Sequence, residues 1–418
     1  MIWEFFARNS DYILLGLLAA FLTGFILYER RKNKDKVEIQ NLFKFPPFSW
    51  LFYIIMYRTK LGLDKMSKWA EKHQKILSIL IPIIIFTGVA GMAFISYTLL
   101  ASFVKMFTAT QAAPAAQLVL PIKSNFTFYV PFMYWIISIF LIATVHEMSH
   151  GIIARFFKIK VKSSGFAFLG ILAPIIPAAF VEPDEKQIVK RPAREQLAVY
   201  AAGPFSNIVF GLLALLLLAV VFAPASNAIY HSNGINVGQI SNASSLYNTS
   251  FNTSSERIIA VNGVPTMTIG AFSTELEKLH PGENVTLATN KDNYTINLKH
   301  SPDNSSRAFI GITQIQESRV IKDGLKPYSW LVSIYSYTAE LVWFLFILNI
   351  GIGLVNLLPI FIADGGRMMF IILKDWVKLK EEKAMYYTSI IGIVFLIVLL
   401  GTIFLPLTPL LGIIRSLI

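Results

Sequence analysis

The 418-residue chain has no cysteine and few charged residues. Because cysteine is absent, a disulfide framework, a thiolate metal site and a cysteine nucleophile are all excluded. Charged residues make up 15% of the chain, hydrophobic residues make up 55%, and the mean hydropathy is +0.57. Soluble domains carry about 25% charged residues, so this composition excludes an ordinary soluble domain and indicates a polytopic membrane protein.

The net charge of +12 does not indicate a nucleic-acid partner. The Lys and Arg residues cluster at the ends of apolar segments, where they orient a membrane protein in the bilayer. The first apolar segment lacks a small-residue cleavage site, so we expect it to be a retained span. We therefore predict an integral, multi-pass protein of the cell membrane. The lipid bilayer is an expected partner, and nucleic acid is not.

Six segments have the length and apolar character of transmembrane helices. They cover residues 12–28, 76–103, 132–157, 197–222, 329–354 and 386–404. Two other apolar stretches do not have the character of spans. Glycine and proline break residues 165–181, which predicts a re-entrant hairpin that lines a cavity. Residues 44–57 are rich in aromatic side chains and predict an interfacial segment.

Charge and glycosylation sequons predict one topology. Residues 30–75 carry 12 Lys and Arg residues and residues 105–126 carry 2, so the first loop should be cytoplasmic. Alternation then places 158–194 and 374–383 inside and 223–326 outside. The Asn-x-Ser/Thr sequons all fall in segments that this rule places outside. They begin at Asn125, Asn242, Asn248, Asn252, Asn284, Asn293 and Asn304.

The outer segment at 226–318 has the pattern of a small α+β domain. Asn262-Gly263 lies between two apolar stretches and predicts a hairpin with a type I′ turn. Residues 284–290 and 294–299 alternate like a second strand pair, and residues 271–279 have a helical pattern between the two hairpins.

The third apolar segment contains the motif His146-Glu147-Met148-Ser149-His150. On a helix the two histidines lie on one face and can bind one Zn²⁺, while Glu147 is near enough to activate a water. So short a motif also occurs by chance. However, an ionisable residue inside a span costs about 2.5–3.5 kcal/mol on insertion, and three together need a partner such as a metal ion. The motif therefore predicts hydrolytic chemistry within the membrane.

A catalytic zinc site usually has three protein ligands and a water, so one ligand is still missing. The remaining histidines lie in predicted loops or the outer domain, which leaves a carboxylate. Asp364 is the preferred candidate, because Pro359 ends the fifth span and Gly365-Gly366 allow an irregular backbone there. Glu340, within the same span, is the alternative.

Together these motifs resemble the site-2 protease family of intramembrane zinc metalloproteases. The resemblance rests on HExxH in a span, on the pattern N-x-x-P-x-x-x-x-D-G from Asn356 to Gly365, and on Ala-Gly-Pro-Phe-Ser-Asn from Ala202 to Asn207. It covers approximately residues 129–380. The order and spacing of the three motifs make their combination far more specific than any one of them.

The resemblance implies one Zn²⁺ per chain and a set of site residues. The implied metal ligands are His146, His150 and Asp364. Glu147 is implied as the catalytic base, and Asn356 and Asn207 as polar or substrate-positioning groups near the site. For Asn207, capping or packing of helices is the alternative role.

The resemblance also implies a PDZ-like domain between the fourth and fifth spans, with 234–237 as a candidate carboxylate-binding loop. Such a domain either binds a peptide or protein ligand or filters substrates by size at the mouth of the site. The implied organisation is a two-span region at 1–128, a first part of the catalytic core at 129–225, the PDZ-like domain at 226–318, and the rest of the core with the C-terminal span at 319–418.

The expected function is zinc-dependent hydrolysis of peptide bonds in or near transmembrane segments of membrane-protein substrates, in regulated intramembrane proteolysis. Residues 165–181 would supply an edge strand that holds an unwound substrate by backbone pairing. One alternative is a zinc-binding transporter, but apart from Glu340 the other spans offer few ionisable groups along a path. The other is a catalytically idle anchor that presents the outer domain, in which Glu147 would have no purpose.

Cysteine labelling tests the predicted orientation, because the native chain contains no cysteine. Single cysteines replace Lys186, in the predicted cytoplasmic loop, and Ser244, in the predicted outer domain. We expect a membrane-impermeant reagent to label Ser244→Cys in intact cells and Lys186→Cys only after permeabilisation. The opposite labelling pattern would invert the topology.

Overall fold

The computed structural model describes residues 9–41, 52–108, 116–124, 127–171, 173–242, 244–301 and 308–407. The helices are α1 (Ser10–Lys32), α2 (Leu63–Lys72), α3 (Gln74–Thr108), α4 (Phe132–Phe156), α5 (Glu185–Ile188), α6 (Ala193–Leu217), α7 (Ala223–Ile229), α8 (Ile269–Glu277), α9 (Ser329–Val355), α10 (Asp364–Ile371) and α11 (Glu381–Phe404). Residues 44–51 and the sequon asparagines Asn125 and Asn304 lie outside the described residues.

The strands belong to four sheets. They are β1 (Val37–Asn41), β2 (Phe52–Thr59), β3 (Leu118–Leu120), β4 (Thr127–Tyr129), β5 (Val161–Ile171), β6 (Ala173–Pro183), β7 (Tyr230–Ile240), β8 (Arg257–Val261), β9 (Val264–Pro265), β10 (Asn284–Thr289), β11 (Asn293–Asn297), β12 (Lys299–His300), β13 (Ala308–Phe309) and β14 (Ile312–Ile321). By its internal contacts the chain divides into a membrane unit, Met1–Leu217 with Glu340–Ile418, and a β-rich unit, Leu218–Ala339. The domain boundaries drawn from the sequence at 128, 225 and 318 stay predictions.

Six helices in the described part of the chain are long and apolar enough to cross a membrane. They lie at Ser10–Lys32, Gln74–Thr108, Phe132–Phe156, Ala193–Ile229, Asp323–Val355 and Glu381–Phe404. Each contains or largely overlaps one of the six segments predicted from the sequence. The prediction of a polytopic helical membrane protein is therefore confirmed.

Helix α4 carries the HExxH motif and has a defined beginning and end. Pro131, with φ of −52°, occupies the position before its first turn, where a missing N–H and a fixed φ suit the start of a helix. At the other end Lys158 takes a positive φ of 59°, and the N–H of Ile159 donates to the carbonyl of Ala154 at 2.9 Å. This left-handed residue and its hydrogen bond end the helix two turns after His150.

Strands β1, β2, β5 and β6 form an antiparallel sheet in that order. Strands β5 and β6 are the two arms of a hairpin that pairs from Val161↔Pro183 to Ile171↔Ala173. It includes the hairpin predicted at 165–181 and extends beyond it at both ends. Because β6 is the last strand in the order, one of its edges is not paired within this sheet.

Strand β2 contains residues 52–57, for which the sequence predicted an interfacial segment. Its interfacial position stays a prediction, and the structure adds that β2 pairs with β5 from Phe52↔Ile171 to Thr59↔Ser164. Gly165 allows the close approach of the two strands, since a Cβ at that position would lie 2.0 Å from the carbonyl oxygen of Tyr57. The N-terminal part of the chain is therefore joined to the hairpin by a continuous ladder.

Buried side chains from six helices of the membrane unit form one core around α4 and α6. Representative members, one each from α2, α3, α4, α5, α6 and α10, are Met66, Ile81, Ile153, Ile188, Leu197 and Met368. Strand β6 also packs against α4. The helix with the motif is thus held between helices and the hairpin.

The β-rich unit has its own core and a sheet of order β11-β10-β8-β7-β14, with β9 paired to β8. Asn262 and Gly263 have φ of 49° and 80°, as a type I′ turn requires, so the predicted hairpin is confirmed. Strands β10 and β11 form the second predicted pair. Helix α8 lies at the predicted helical stretch, and its first turn is capped by Thr268, whose Oγ1 accepts the N–H of Ala271 at 3.2 Å.

Residues 234–237, the candidate carboxylate-binding loop, lie instead in the middle of β7. Ile235 and Val237 are buried, and this stretch pairs with β14 on one side and β8 on the other. Ile235 and Asn236 are paired on both sides, so this stretch is part of a central strand and not a loop. The structure contradicts this part of the interpretation, while the PDZ-like character of the unit stays a prediction.

Candidate metal centre

The two histidines of the motif and Asp364 come together in the membrane unit. The Nε2 atoms of His146 and His150 are 3.1 Å apart, and Asp364 Oδ2 lies 3.2 Å from the first and 3.4 Å from the second. Tetrahedral ligands at about 2.0–2.1 Å from a zinc ion would be separated by about 3.3 Å. Within the described ranges, these three residues form a group that can hold a metal ion.

Asp364 reaches the histidines because the chain turns sharply after α9 and starts α10 at this residue. The N–H of Gly365 donates to the carbonyl of Asn356 at 2.9 Å, which closes the turn. The carboxylate lies in the first turn of α10, where the helix dipole favours a negative charge. The expected break is present but lies at residues 356–363: α9 ends at Val355, four residues before Pro359, and Gly365 and Gly366 lie within α10.

The tautomer of His150 is set by a backbone group. Its Nδ1 lies 2.7 Å from the carbonyl oxygen of Val199 on α6, and a carbonyl can only accept a hydrogen bond. Nδ1 therefore carries the proton, and the lone pair of Nε2 is left for a metal ion.

His146 has a side-chain partner in Asn207. The Nδ2 atom of Asn207 lies 3.0 Å from His146 Nδ1, and Asn207 Oδ1 is buried without a hydrogen-bond partner among the described residues. The orientation of such an amide is assigned from its hydrogen-bond network. With its oxygen turned toward Nδ1, Asn207 accepts the Nδ1–H of His146 and leaves Nε2 free to bind a metal ion. Asn207 is fully buried and lies where the resemblance placed it.

Glu147 points toward the hairpin. Its Oε2 accepts the N–H of Val181 on β6 at 2.9 Å. Glu147 also lines the cavities that adjoin His146, His150 and Asp364. The carboxylate is thus beside the candidate metal ligands and is oriented by a separate structural element.

Helix α6 approaches the histidines at Gly203. A Cβ added to this residue would lie 2.4 Å from His150 Nε2 and 2.5 Å from His146 Nε2. Any side chain at this position would therefore fill the space in front of both candidate ligand atoms. Because Gly203 has no side chain, a space that we call the cradle remains between α6 and the two Nε2 atoms, where an ion can lie.

Two cavities meet at the site. One, of 320 Å³, is lined by the β6 residues 176–179, by apolar side chains of α4 and α9, and by Asn207 and Asn356. The other, of 690 Å³, has six further charged side chains in its lining. These are Arg58, Lys162, Glu182, Glu185, Lys186 and Arg367. Glu147 and Asp364 line both cavities, so the site connects an apolar space with a polar one.

Glu340, the alternative third ligand, lies elsewhere. It accepts a hydrogen bond of 2.9 Å from the hydroxyl of Tyr134, near the start of α4. Tyr134 precedes His146 by 12 residues, which is about 18 Å along a helix. The structure therefore groups Asp364 with the histidines and keeps Glu340 apart.

The profile of peptidase family M50 matches residues 134–399, which contain the HExxH motif and both other motifs. The chain belongs to peptidase family M50. M50 is the site-2 protease family that the motifs resemble, so that prediction is confirmed. Peptidases of this family are zinc metalloproteases, and the chain is a membrane metalloprotease at the level of the family.

Two relatives are similar in sequence to this chain. An uncharacterized protein of Methanocaldococcus jannaschii is 25% identical over 387 residues, which cover 92% of this chain and 91% of the relative. The zinc metalloprotease RasP of Shouchella clausii is 23% identical over 235 residues, which cover 46% of this chain and 54% of the relative. The similarity to the first extends over the N-terminal region that the M50 profile does not match.

Sequence reasoning missed three residues that contribute to this M50 site. Val199 and Val181 act through a backbone carbonyl and a backbone N–H, and Gly203 acts by having no side chain. Every residue carries the same backbone groups, so the valines give no signal in the sequence. Gly203 stands in the Ala-Gly-Pro motif, and that motif was the one available pointer to it.

Gly203→Ala tests the cradle. The added methyl group would occupy the space beside both Nε2 atoms, so we expect zinc affinity to fall by about 10-fold or more. The measurement is zinc content of the purified protein after competition with a chelator. Gly351→Ala is the matched control, because Gly351 lies in α9 and a Cβ there meets nothing within 4 Å. Equal zinc retention in the two variants would show that Gly203 does not border the metal.

Proposed function

We propose that the chain is a zinc-dependent endopeptidase that hydrolyses peptide bonds in or near transmembrane segments of membrane-protein substrates, in regulated intramembrane proteolysis. The position of Glu147 carries the proposal. Its carboxylate lines the same two cavities as Asp364, and these cavities also border His146 and His150. A purely structural zinc site has no need of a free carboxylate in this position.

His146 Nε2, His150 Nε2 and Asp364 Oδ2 would hold one Zn²⁺ per chain. Two imidazoles and one carboxylate are a donor set that zinc uses in hydrolytic enzymes, and the hydrogen bonds to Val199 and Asn207 prepare both imidazoles for it. Bound there, the ion supplies Lewis acidity and lowers the pKa of a coordinated water toward about 7.

Glu147 serves as the general base. Because Val181 donates to Oε2, the other carboxylate oxygen, Oε1, is the one that takes a proton from the attacking water. The same oxygen then delivers this proton to the nitrogen of the leaving amine as the C–N bond breaks. The carboxylate is regenerated, and a positioned acid–base group of this kind contributes about 10²–10⁴-fold to the rate.

Strand β6 is the proposed substrate-binding edge. A transmembrane helix hides its carbonyl groups in its own hydrogen bonds, so a substrate must unwind before a peptide bond can reach the site. The β6 residues 176–179 line the apolar cavity that ends at Glu147 and Asp364. An unwound segment that pairs with this edge is held by main-chain hydrogen bonds. Residues that weaken a helix should therefore mark a substrate.

The remaining groups have supporting roles in this proposal. Asn356 lines the apolar cavity and positions the substrate, while Asn207 acts through His146. The β-rich unit is proposed to be a PDZ-like domain on the extracytoplasmic side, where it binds a peptide or protein ligand or limits the size of substrates. A zinc transporter and an idle anchor are the alternatives that the following experiments distinguish.

Metal analysis of two carboxylate variants tests the ligand set. Asp364→Ala removes one of three proposed ligands, so we expect purified protein to lose most of its zinc, against about one Zn²⁺ per chain in the wild type. Glu340→Ala is the control, since Glu340 is bonded to Tyr134 and lies apart from the histidines. Greater zinc loss from Glu340→Ala than from Asp364→Ala would remove Asp364 from the site.

Glu147→Gln separates an enzyme from an anchor or a transporter. Glutamine keeps the size of the side chain and can still accept the N–H of Val181, so folding and zinc content should stay nearly unchanged. The variant cannot take a proton, and we expect cleavage of a helix-destabilised transmembrane substrate to fall by at least about 10²-fold. The assay compares fragments produced by zinc-loaded wild type and variant. Equal cleavage by the two proteins would overturn the mechanism, and no cleavage by wild type across many transmembrane substrates would favour the anchor.

A further inference from the structure

The four-stranded sheet links Glu147 to a part of the chain that the M50 profile does not match. Arg58 of β2 donates from Nε and Nη2 to Glu38 Oε2 of β1, at 3.1 and 2.9 Å. Its Nη1 donates to Ser163 Oγ of β5 at 3.1 Å and to Glu182 Oε2 of β6. One guanidinium group therefore connects all four strands of the sheet.

The geometry of the sheet allows this reach. Arg58 is paired in register with Gly165, and Gly165 is paired with Phe180. Because Gly165 has no side chain, the arginine extends across β5, and its guanidinium carbon lies 5.9 Å from the centre of the Phe180 ring. Ser163 Oγ also donates to Glu182 Oε2 at 2.6 Å. Glu182 is thus held by two donors, one from β2 and one from β5.

The Glu38 carboxylate of this cluster stays ionised at neutral pH. Hydrogen bonds from Gln40 and then from Arg58 hold the pKa of Glu38 below its usual value. The ion pair between Arg58 and Glu38 is therefore present at neutral pH. The guanidinium group of arginine is planar and holds its N–H donors in a fixed fork. It therefore fixes the positions of the groups that it binds more tightly than the single ammonium group of lysine does.

Glu182 directly follows Val181, whose N–H donates to Glu147. We propose that Arg58 is a positioning residue for Glu147: it holds Glu182 and thereby keeps the Val181 N–H directed at the Glu147 carboxylate. The inference rests on the proposed role of Glu147 as the base. It gives the N-terminal region, whose contribution the sequence left open, a part in the reaction.

Kinetics of Arg58→Met and Arg58→Lys give the first test. Methionine keeps an unbranched side chain without charge, and we expect kcat to fall by about 10-fold or more, with KM and zinc content within about twofold of wild type. Lysine retains the charge without the fork and should recover part of the loss. Lys374→Met is the control, because it removes an ion pair of 2.7 Å with Glu381 that lies outside this sheet. Unchanged kcat in Arg58→Met, or an equal fall in Lys374→Met, would overturn the proposal.

A double variant distinguishes positioning from general damage. Val181→Pro removes the N–H that reaches Glu147, and an edge strand tolerates proline where the N–H does not bond its neighbour. If Arg58 acts through this N–H, adding Arg58→Met to Val181→Pro should lower kcat by no more than about twofold further. Losses that multiply would show that Arg58 acts independently of Val181, and would refute the proposal.

Amide hydrogen exchange supplies a readout that needs no cleavage. In Arg58→Met we expect exchange in peptides covering 173–183 to accelerate by about 10-fold or more, and exchange in α6 to stay as in wild type. This measurement needs no substrate, and unchanged exchange in 173–183 would refute the proposal. A failure of the proposed protease function would look different. The wild type would then cleave no transmembrane substrate, while amide exchange in 173–183 would still be faster in Arg58→Met than in wild type.

Discussion

Ionisable side chains inside an apolar helix are costly, and the arrangement of the membrane unit follows from how this chain meets that cost. His146 and His150 lie on a helix whose other side chains are largely apolar. An ionisable side chain without a partner costs about 2.5–3.5 kcal/mol at the centre of such a helix. Asp364 is brought to them from a helix more than 200 residues later in the chain. With both imidazoles protonated on Nδ1, the two Nε2 atoms and the Asp364 carboxylate present only lone pairs to one another, so a bound cation would be the partner that all three share.

This mutual dependence explains several features that look unrelated in the sequence. The turn before α10 places the Asp364 carboxylate at the start of a helix. Helix α6 supplies the carbonyl of Val199, which binds His150, and Gly203, which leaves space beside both imidazoles. Asn207, three positions past Pro204 in α6, completes the set beside His146. Val199, Gly203 and Asn207 are spaced four residues apart and thus place one face of α6 beside the two imidazoles.

The features that the sequence predicted correctly are those that side-chain type and spacing control. Apolar runs of about 20 residues identify spans, the spacing of four places His146 and His150 on one face, and Asn262-Gly263 specifies its turn. Each of these depends on a few neighbouring residues. The grouping of Asp364 with the histidines was accessible because proline and glycine mark the break in the helix that brings it there.

The features that could not be predicted from the sequence depend on backbone groups or on pairing between distant segments. The ladder between β2 and β5 joins residues more than 100 positions apart, and nothing in the composition of 52–59 selects that partner over the membrane surface. The valines at 181 and 199 act through atoms that all residues share. For 234–237 the error was of the same kind, since a glycine that the motif suggested for a loop lies in a strand paired on both sides.

The two cavities that meet at Glu147 and Asp364 differ in what they can solvate. One is bordered by the apolar side chains of α4, α9 and β6 beside the polar groups of the site, and the other carries six further charged side chains. In the proposed reaction, hydrolysis converts an uncharged amide into a carboxylate and an amine, which hydrocarbon solvates poorly and water solvates well. The new chain ends would therefore be more stable on the charged side, so the asymmetry that admits an apolar segment would also favour the departure of its cut ends.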